Sequence, residues 1–311
     1  MTGLDPERFG PFGEKYLVIE FSAMDAPAPS SLRTLPCPVI GVGDAADTLA
    51  PACDVVVPDE RALAPLLANI ERAPIAAATL VQVLRITETL PLHEALLVES
   101  LAYATLQGGA ENRAWLAARS PTPPAPAEPG PPVLVAREGD RLALMLNRPG
   151  GRNAVTMELR DALVEALRLA ALDATICDIT LHGAGKCFCI GGALEEFGSV
   201  PDQAIAHAVR TMRGPAFALA PVAARVRARV HGAAIGAGAE LASLCGHVAA
   251  HRCSFFQLPE IRFGLIPGSG GTAGFSQRIG RQRTAWMALS ARRVGARQAL
   301  AWGLIDEIFP A

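Results

Sequence analysis

The sequence has no excess of charge of either sign: 28 Lys+Arg stand against 30 Asp+Glu, a formal net charge of −2. Without a basic field there is nothing to gather nucleic acid or an anionic membrane surface, so neither partner is expected. Paired C-x-x-C spacings are missing too. The seven cysteines are an odd number, and Cys187 and Cys189 are separated by one residue, which predicts reduced, mostly buried thiols rather than a zinc or redox site. Met1 to Arg8 carry acids early and lead into no apolar core of signal-peptide length, so a cytoplasmic protein is expected. The most apolar long window, Val230 to Ala250, contains Glu240, His231, His247 and four glycines, and does not suit a lipid-facing helix. His231, His247 and His251 are not at ligand spacing and no Cys or Asp completes a set, so no metal site is expected.

What is present is a chain of 311 residues, half of them apolar, long enough to bury a large core in one large or two modest domains. One boundary stands out. Residues 121–132 read PTPPAPAEPGPP, seven prolines in twelve residues, which predicts an extended linker between a part covering 1–120 and a part covering 133–311. The second part opens with two apolar runs around Gly139-Asp140, a hairpin signal over Val133–Asn147. After Thr156, a helix N-cap, apolar residues recur at helical spacing from Leu159 to Ala170; short strands follow at Cys177–His182 and Arg225–His231. This alternation predicts a layered α/β fold.

The first part predicts strands at Tyr16–Phe21, Val39–Val42 and Cys53–Val57, then two long helices: Leu63–Leu90, interrupted at Pro74, and Leu92–Ala118. Gly41-Val-Gly43-Asp-Ala-Ala46 imitates a dinucleotide fingerprint, with Asp59 near the place of a ribose-binding acid. Only ten residues separate Val42 from Cys53, too few for the helix of a parallel crossover, so nucleotide binding is not expected.

Three segments of the second part carry chemistry. Gly185-Lys-Cys-Phe-Cys-Ile-Gly-Gly-Ala193 runs from a strand end into paired glycines, where exposed N–H groups could hold an anionic oxygen; a plain tight turn has the same pattern. His231-Gly-Ala-Ala-Ile-Gly-Ala-Gly-Ala-Glu240 starts a helix among small residues with an acid one turn inside, placed either for chemistry or to complement the helix dipole. Phe255 to Thr272 contains Glu260 in an apolar loop before a Gly-rich turn, and that turn lacks the Gly-Lys-Ser/Thr ending of a phosphate-binding loop. Glu240 and Glu260, two carboxylates in apolar surroundings, are candidates for an acid–base pair with raised pKa values.

Taken in order, LNRPGGRNAV, FCIGGALEEF, HGAAIGAGAELA and QLPEIRFGLIPGSGGT resemble the successive signatures of the crotonase, or enoyl-CoA hydratase/isomerase, superfamily over about residues 140–310. The resemblance implies a crotonase-like layered fold of repeated β-β-α units. It implies an oxyanion hole from the Gly192 and Ala237 N–H groups, with Glu240 and Glu260 as the two hydratase glutamates. CoA would pass Asn153, Ala154, Cys189, Ile190, Gly191, Gly192, Ala193 and Leu194. The implied reaction is hydration of a 2-enoyl-CoA, with CoA entering as part of the substrate, no metal or redox cofactor, and assembly as trimers or hexamers. Isomerisation, hydrolysis or C–C cleavage of an acyl-CoA, or a non-catalytic scaffold role, are the alternatives. Ala193 stands where many members carry Asp, removing a polar group beside the acyl site. The arginines between Arg278 and Arg297, with Arg262, suit either CoA phosphates or a solvated helix face.

The resemblance to the family over residues 140–310 does not include its C-terminal helices, and residues 70–119, with their Glu99-Ser100 pair and Trp115-Leu116-Ala-Ala-Arg119 ending, resemble them. Residues 1–120 are therefore expected to be a degenerate crotonase half that supplies the helical cap, packing on 133–311 through a face that includes Leu97, Leu101 and Ala104.

Overall fold

The computed structural model describes residues 4, 5, 7–22, 28–120, 123 and 128–310. Most of the proline-rich stretch, residues 121–122 and 124–127, lies outside the described residues, and with it the expected extended linker.

The first part begins with β1 (Leu17–Glu20), the one-turn helix α1 (Pro29–Leu32), β2 (Val39–Val42) and β3 (Val55–Val57), which form a three-stranded parallel sheet in that order. Between β2 and β3 there is a single 3-10 turn at Ala50–Ala52 rather than a helix, as the short connection requires. Four helices follow: α2 (Ala64–Arg72), α3 (Pro74–Thr87), α4 (Leu92–Gln107) and α5 (Ala110–Ala118). The helix expected over Leu92–Ala118 is in fact two, divided at Gly108-Gly109, where the Gly108 N–H closes α4 on Ala104 O and Leu106 O. Glu111 of α5 caps α3 by accepting from the Ile75 and Ala76 N–H groups at 2.8 and 3.0 Å.

The second part contains β4 (Val133–Glu138), β5 (Arg141–Leu146), α6 (Met157–Leu172), β6 (Asp178–Gly183), α7 (Gln203–Arg213), α8 (Pro215–Leu219), β7 (Val226–Val230), β8 (Ala233–Ile235), α9 (Ala237–Leu244), β9 (His247–His251), β10 (Phe255–Gln257), α10 (Gly271–Ile279), α11 (Arg281–Ser290), β11 (Val294–Gly295), α12 (Ala296–Trp302) and β12 (Glu307–Phe309). A six-stranded sheet runs β12-β9-β7-β6-β5-β4, parallel except for the β4–β5 hairpin. A small sheet, β11-β10-β8, stands apart from it and carries the segments that lead into α9 and α10. Thr156 caps α6 by accepting from the Leu159 N–H at 3.2 Å.

One hydrophobic core runs through both parts, from Ile40, Leu66 and Leu84 to Leu144, Phe256 and Leu289. The α2 and α3 helices pack on α10 and α11, and α4 packs on α7 and α10. Polar ties reinforce the seam. Asn69 Nδ2 donates to Leu289 O at 2.8 Å, and buried Asp54 pairs with Arg85 at 2.5 Å and with Arg281 of α11 at 3.0 Å. The expected face of α4 needs one correction: Leu101 is 55% exposed and Leu97 half-buried, while Leu96, Glu99, Ser100 and Ala104 turn inward. Among the described residues no helix is long and apolar enough to cross a membrane.

Candidate active site

Two backbone turns meet at the mouth of α9. The strand-like segment Phe188–Cys189 runs beside β8, held by Phe188 N–H to His231 O at 2.8 Å and Ile235 N–H to Cys189 O at 3.0 Å. The chain then turns at Gly191, whose φ of 95° suits glycine and where a Cβ would stand 2.9 Å from Ile235 O. Facing it, Gly236 opens α9 at φ 49°, ψ −127°; a Cβ there would lie 2.8 Å from Glu260 Oε1. Glycine at these two positions thus brings residues 190–192 against 235–237 and lets Glu260 approach. The N–H groups of Gly192 and Ala237 make no hydrogen bond to another described residue, and both residues line the same cavity.

Three buried carboxylates gather beside these N–H groups. Glu240, inside the first turn of α9, accepts at Oε2 from Ser269 N–H at 2.6 Å and Gly271 N–H at 2.9 Å. Glu99, from α4, accepts at Oε1 from Gly270 N–H at 2.6 Å, and at Oε2 from Thr272 N–H at 2.8 Å and Thr272 Oγ1 at 2.6 Å. Four consecutive amides at the start of α10 therefore alternate between the two acids. Glu260 starts a 3-10 turn at Glu260–Phe263, and its Oε2 is buried with no hydrogen-bond partner among the described residues.

Burial is the leading electrostatic cause at all three, because it penalises the charged form. It raises Glu240 well above the ordinary carboxylate range, helped by the charges of Glu260 and Glu99 and opposed by the two N–H donors. Glu260 is pushed up to about 8, burial outweighing its own backbone N–H, with the charge of Glu99 adding. Glu99 is pushed up to about 7 despite its three donors. The trio thus keeps protons near neutrality that isolated glutamates would have released.

These groups open onto a cavity of about 1570 Å³. Of the residues expected near CoA, Ala154, Ile190, Gly191, Gly192, Ala193 and Leu194 line it. Asn153 and Cys189 do not. Asn153 is fully buried in the left-handed region, its Oδ1 accepting from Arg148 N–H and its Nδ2 directed to Ala184 O, Cys187 O and Phe188 O, so it pins the loop from behind. Cys189 is buried against Gly238, its Sγ accepting from Gly191 N–H at 3.4 Å. The arginines from Arg278 onward and Arg262 also stay away from the cavity: Arg278 donates to Ser243 O, Cys245 O and Asp306, and Arg281 is buried on Asp54. Among the described residues no group of three His, Cys, Asp or Glu is placed to hold a metal ion.

Sequence reasoning missed Glu99, Ser100, Tyr103 and Arg210 as lining residues. The first three had a signal, since positions 96, 99, 100 and 103 share one helix face. Arg210 on α7 had none.

Residues 140–311 match the family model "Enoyl-CoA hydratase/isomerase". The chain is 36% identical over 180 residues to 2,3-dehydroadipyl-CoA hydratase of Escherichia coli, covering 58% of this chain and 69% of that one. It is 35% identical over 182 residues to 1,2-epoxyphenylacetyl-CoA isomerase of the same organism, covering 57% and 69%. The crystal structure of an enoyl-CoA hydratase from Mycobacterium smegmatis superposes with a TM-score of 0.54 at 28% identity, covering 58% of this chain and 71% of that one. The family match begins at residue 140, so it lends the reading of residues 1–120 as a degenerate half no support.

Proposed function

Because the chain belongs to the enoyl-CoA hydratase/isomerase family, with its crotonase-like α/β fold and CoA-thioester chemistry, we propose that it adds water across the double bond of a 2-enoyl-CoA. The observation that carries this reading is the pair of unlike carboxylates, Glu240 and Glu260, beside two N–H donors that have no acceptor among the described residues. The thioester oxygen accepts from Gly192 and Ala237 N–H, which stabilise enolate charge as it forms. Glu240, whose two backbone donors oppose the rise that burial causes and fix the orientation of the carboxyl, orients a water and, as the base, removes its proton as the hydroxyl bonds to the β-carbon. Glu260, with a buried and unpaired oxygen, favours the protonated form and delivers its proton to the α-carbon. CoA lies along Ala154 and Ile190 to Leu194 in this reading, with Asn153 and Cys189 supporting that wall from within.

Residues 1–120 act as the cap of the 133–311 core, a role supported by Glu99, Ser100 and Tyr103 lining the cavity. The family resemblance also supports a trimeric or hexameric, cytoplasmic enzyme. A second reading, double-bond isomerisation by the same acids, is favoured by the likeness to an isomerase. The test is turnover of enoyl-CoA thioesters of several lengths, followed at the thioester chromophore and by product mass. Glu240→Gln and Glu260→Gln should each lose roughly 10²- to 10⁴-fold in rate while still binding CoA ligands. Product with unchanged mass selects isomerisation; wild-type rates in either variant overturn both readings.

A further inference from the structure

The cavity that holds the Gly192 and Ala237 N–H groups is not purely apolar. Arg210 of α7 lines it, with its guanidinium 4.5 Å over the ring of Tyr103. Nη1 donates to Ser100 O at 3.3 Å and Ser100 Oγ at 3.2 Å, and Nη2 donates to Gln107 Oε1 at 2.8 Å. Every one of these acceptors is neutral. No carboxylate stands within 4.0 Å of the guanidinium among the described residues, and its Nε–H has no acceptor there. The Tyr103 hydroxyl likewise makes no hydrogen bond to a described residue. His207, one turn before Arg210, shares a hydrogen bond with Ser100 Oγ at 2.9 Å.

A largely buried cation ordinarily has a counter-charge. The nearest negative charges, Glu99 and Glu240, act on Arg210 without direct contact, both oxygens of Glu99 and one of Glu240 being held by amides 269–272 instead. The cluster is also close to the chemistry. The Tyr103 ring packs on Gly268, where a Cβ would meet it at 2.3 Å, and the next residue, Ser269, gives its N–H to Glu240. Arg210 and Tyr103 line the same cavity as the Gly192 and Ala237 donors and Glu240, so an acyl chain bonded at its thioester end to those donors shares this space with the guanidinium. The same cavity has apolar walls at Leu96, Phe217 and Leu241.

The geometry points to a subsite for a carboxylate at the far end of a short acyl chain, formed by the Arg210 guanidinium and the Tyr103 hydroxyl. This inference rests on the acyl-CoA reading of the cavity, but not on which reaction follows. Arg210 and Tyr103 are specificity residues in it. They touch the tail of the substrate and leave the reacting carbons to Glu240 and Glu260.

The test compares binding of saturated five- and six-carbon acyl-CoAs that differ only in ending as methyl or carboxylate, by calorimetry on the full chain. The wild type should bind the carboxylate-ended member of at least one length about 10- to 100-fold more tightly, the range of a hydrogen bond to a charged group. Arg210→Gln should bring that ratio to within about twofold, and Arg210→Lys should recover part of it. Equal binding, a preference for the methyl end, or no binding of either series in the wild type overturns the subsite, and none of these depends on a variant folding. A preference that survives in Arg210→Gln overturns it as well. So does an equal loss of affinity for free CoA in that variant, which would assign Arg210 to the nucleotide. Hydration of the matching unsaturated thioesters is measured separately: carboxylate preference in binding without turnover sinks the hydratase reading and leaves the subsite standing.

Discussion

Glu99→Ala removes an acid that lies 171 residues in sequence from the amide it holds. Its carboxylate accepts from Gly270 N–H, Thr272 N–H and Thr272 Oγ1, all buried. Truncation leaves two amides without acceptors, and the Thr272 hydroxyl can rotate to another. At about 1–3 kcal/mol for each stranded buried donor, the gross loss is about 2–6 kcal/mol. Removing a carboxyl that burial penalises returns part of this, so a net loss of about 1–4 kcal/mol is expected, or roughly 2–6 °C in melting temperature for a chain of this length. Glu99→Gln does not rescue it, because the side-chain amide presents a donor where a second backbone donor already points. The neighbouring amides of Ser269 and Gly271 hold Glu240, so a loop slackened by even 1 Å should also lower turnover, on the order of 10²-fold. Calorimetry of the two variants at pH 7 checks the first figure, and initial rates check the second. A Glu99→Ala protein that melts within a degree of wild type would refute the reasoning, since no buried donor could then have been stranded.

Three further outcomes are expected. Gly192→Pro deletes an N–H assigned to the thioester oxygen and should raise the barrier by roughly 3–4 kcal/mol; a folded variant with unchanged rate would make Gly192 only a turn residue. Stability should fall as pH rises from about 4.5 toward 8, because folding raises Glu99 to about 7 and Glu260 to about 8. Over that window the folded chain keeps protons that the unfolded chain, with ordinary carboxyls, has released. Melting curves against pH should therefore slope less steeply in Glu260→Gln, and an identical slope would acquit that carboxyl. Residues 133–311 expressed alone should aggregate or be inactive, since α10 and α11 lose the apolar cover of α2 to α4; a soluble, fully active fragment would contradict the capping role.

The elements legible in the sequence were those with local causes. The Gly139-Asp140 hairpin, the Thr156 cap with its periodic helix, and the strands at 178–183 and 226–230 each follow from a turn signal or an apolar period a few residues long. The two glycine turns and the two acids of the second part could be picked out because an acid among small apolar residues is unusual. Other features were set by distant partners. The inward face of α4 was read only in part: Ala104 turns in as expected, whereas Leu101 is exposed, because the donors at Gly270 and Thr272 draw Glu99, not the leucine, to the inside. The arginines of α10 and α11 look like a free basic face, yet Arg281 is spent on Asp54 from the other end of the chain. The break at Gly108-Gly109 was visible as a glycine pair, and the Ala- and Leu-rich pattern on either side hid it.

The alternation of four amides between Glu99 and Glu240 also sets a timetable. The α4 helix leaves the ribosome long before the amides that receive its glutamate. At about 5–20 residues per second, the 171 intervening residues take roughly 10–30 s to synthesise. Until that interval ends the inward face of α4 lacks its α10 partner, with Leu96 and Glu99 left without the loop at residues 269–272, and the cluster of acids cannot exist. The site matures only when both halves of the chain are out, so a partly made chain should depend on holding factors and remain silent in any assay of its chemistry.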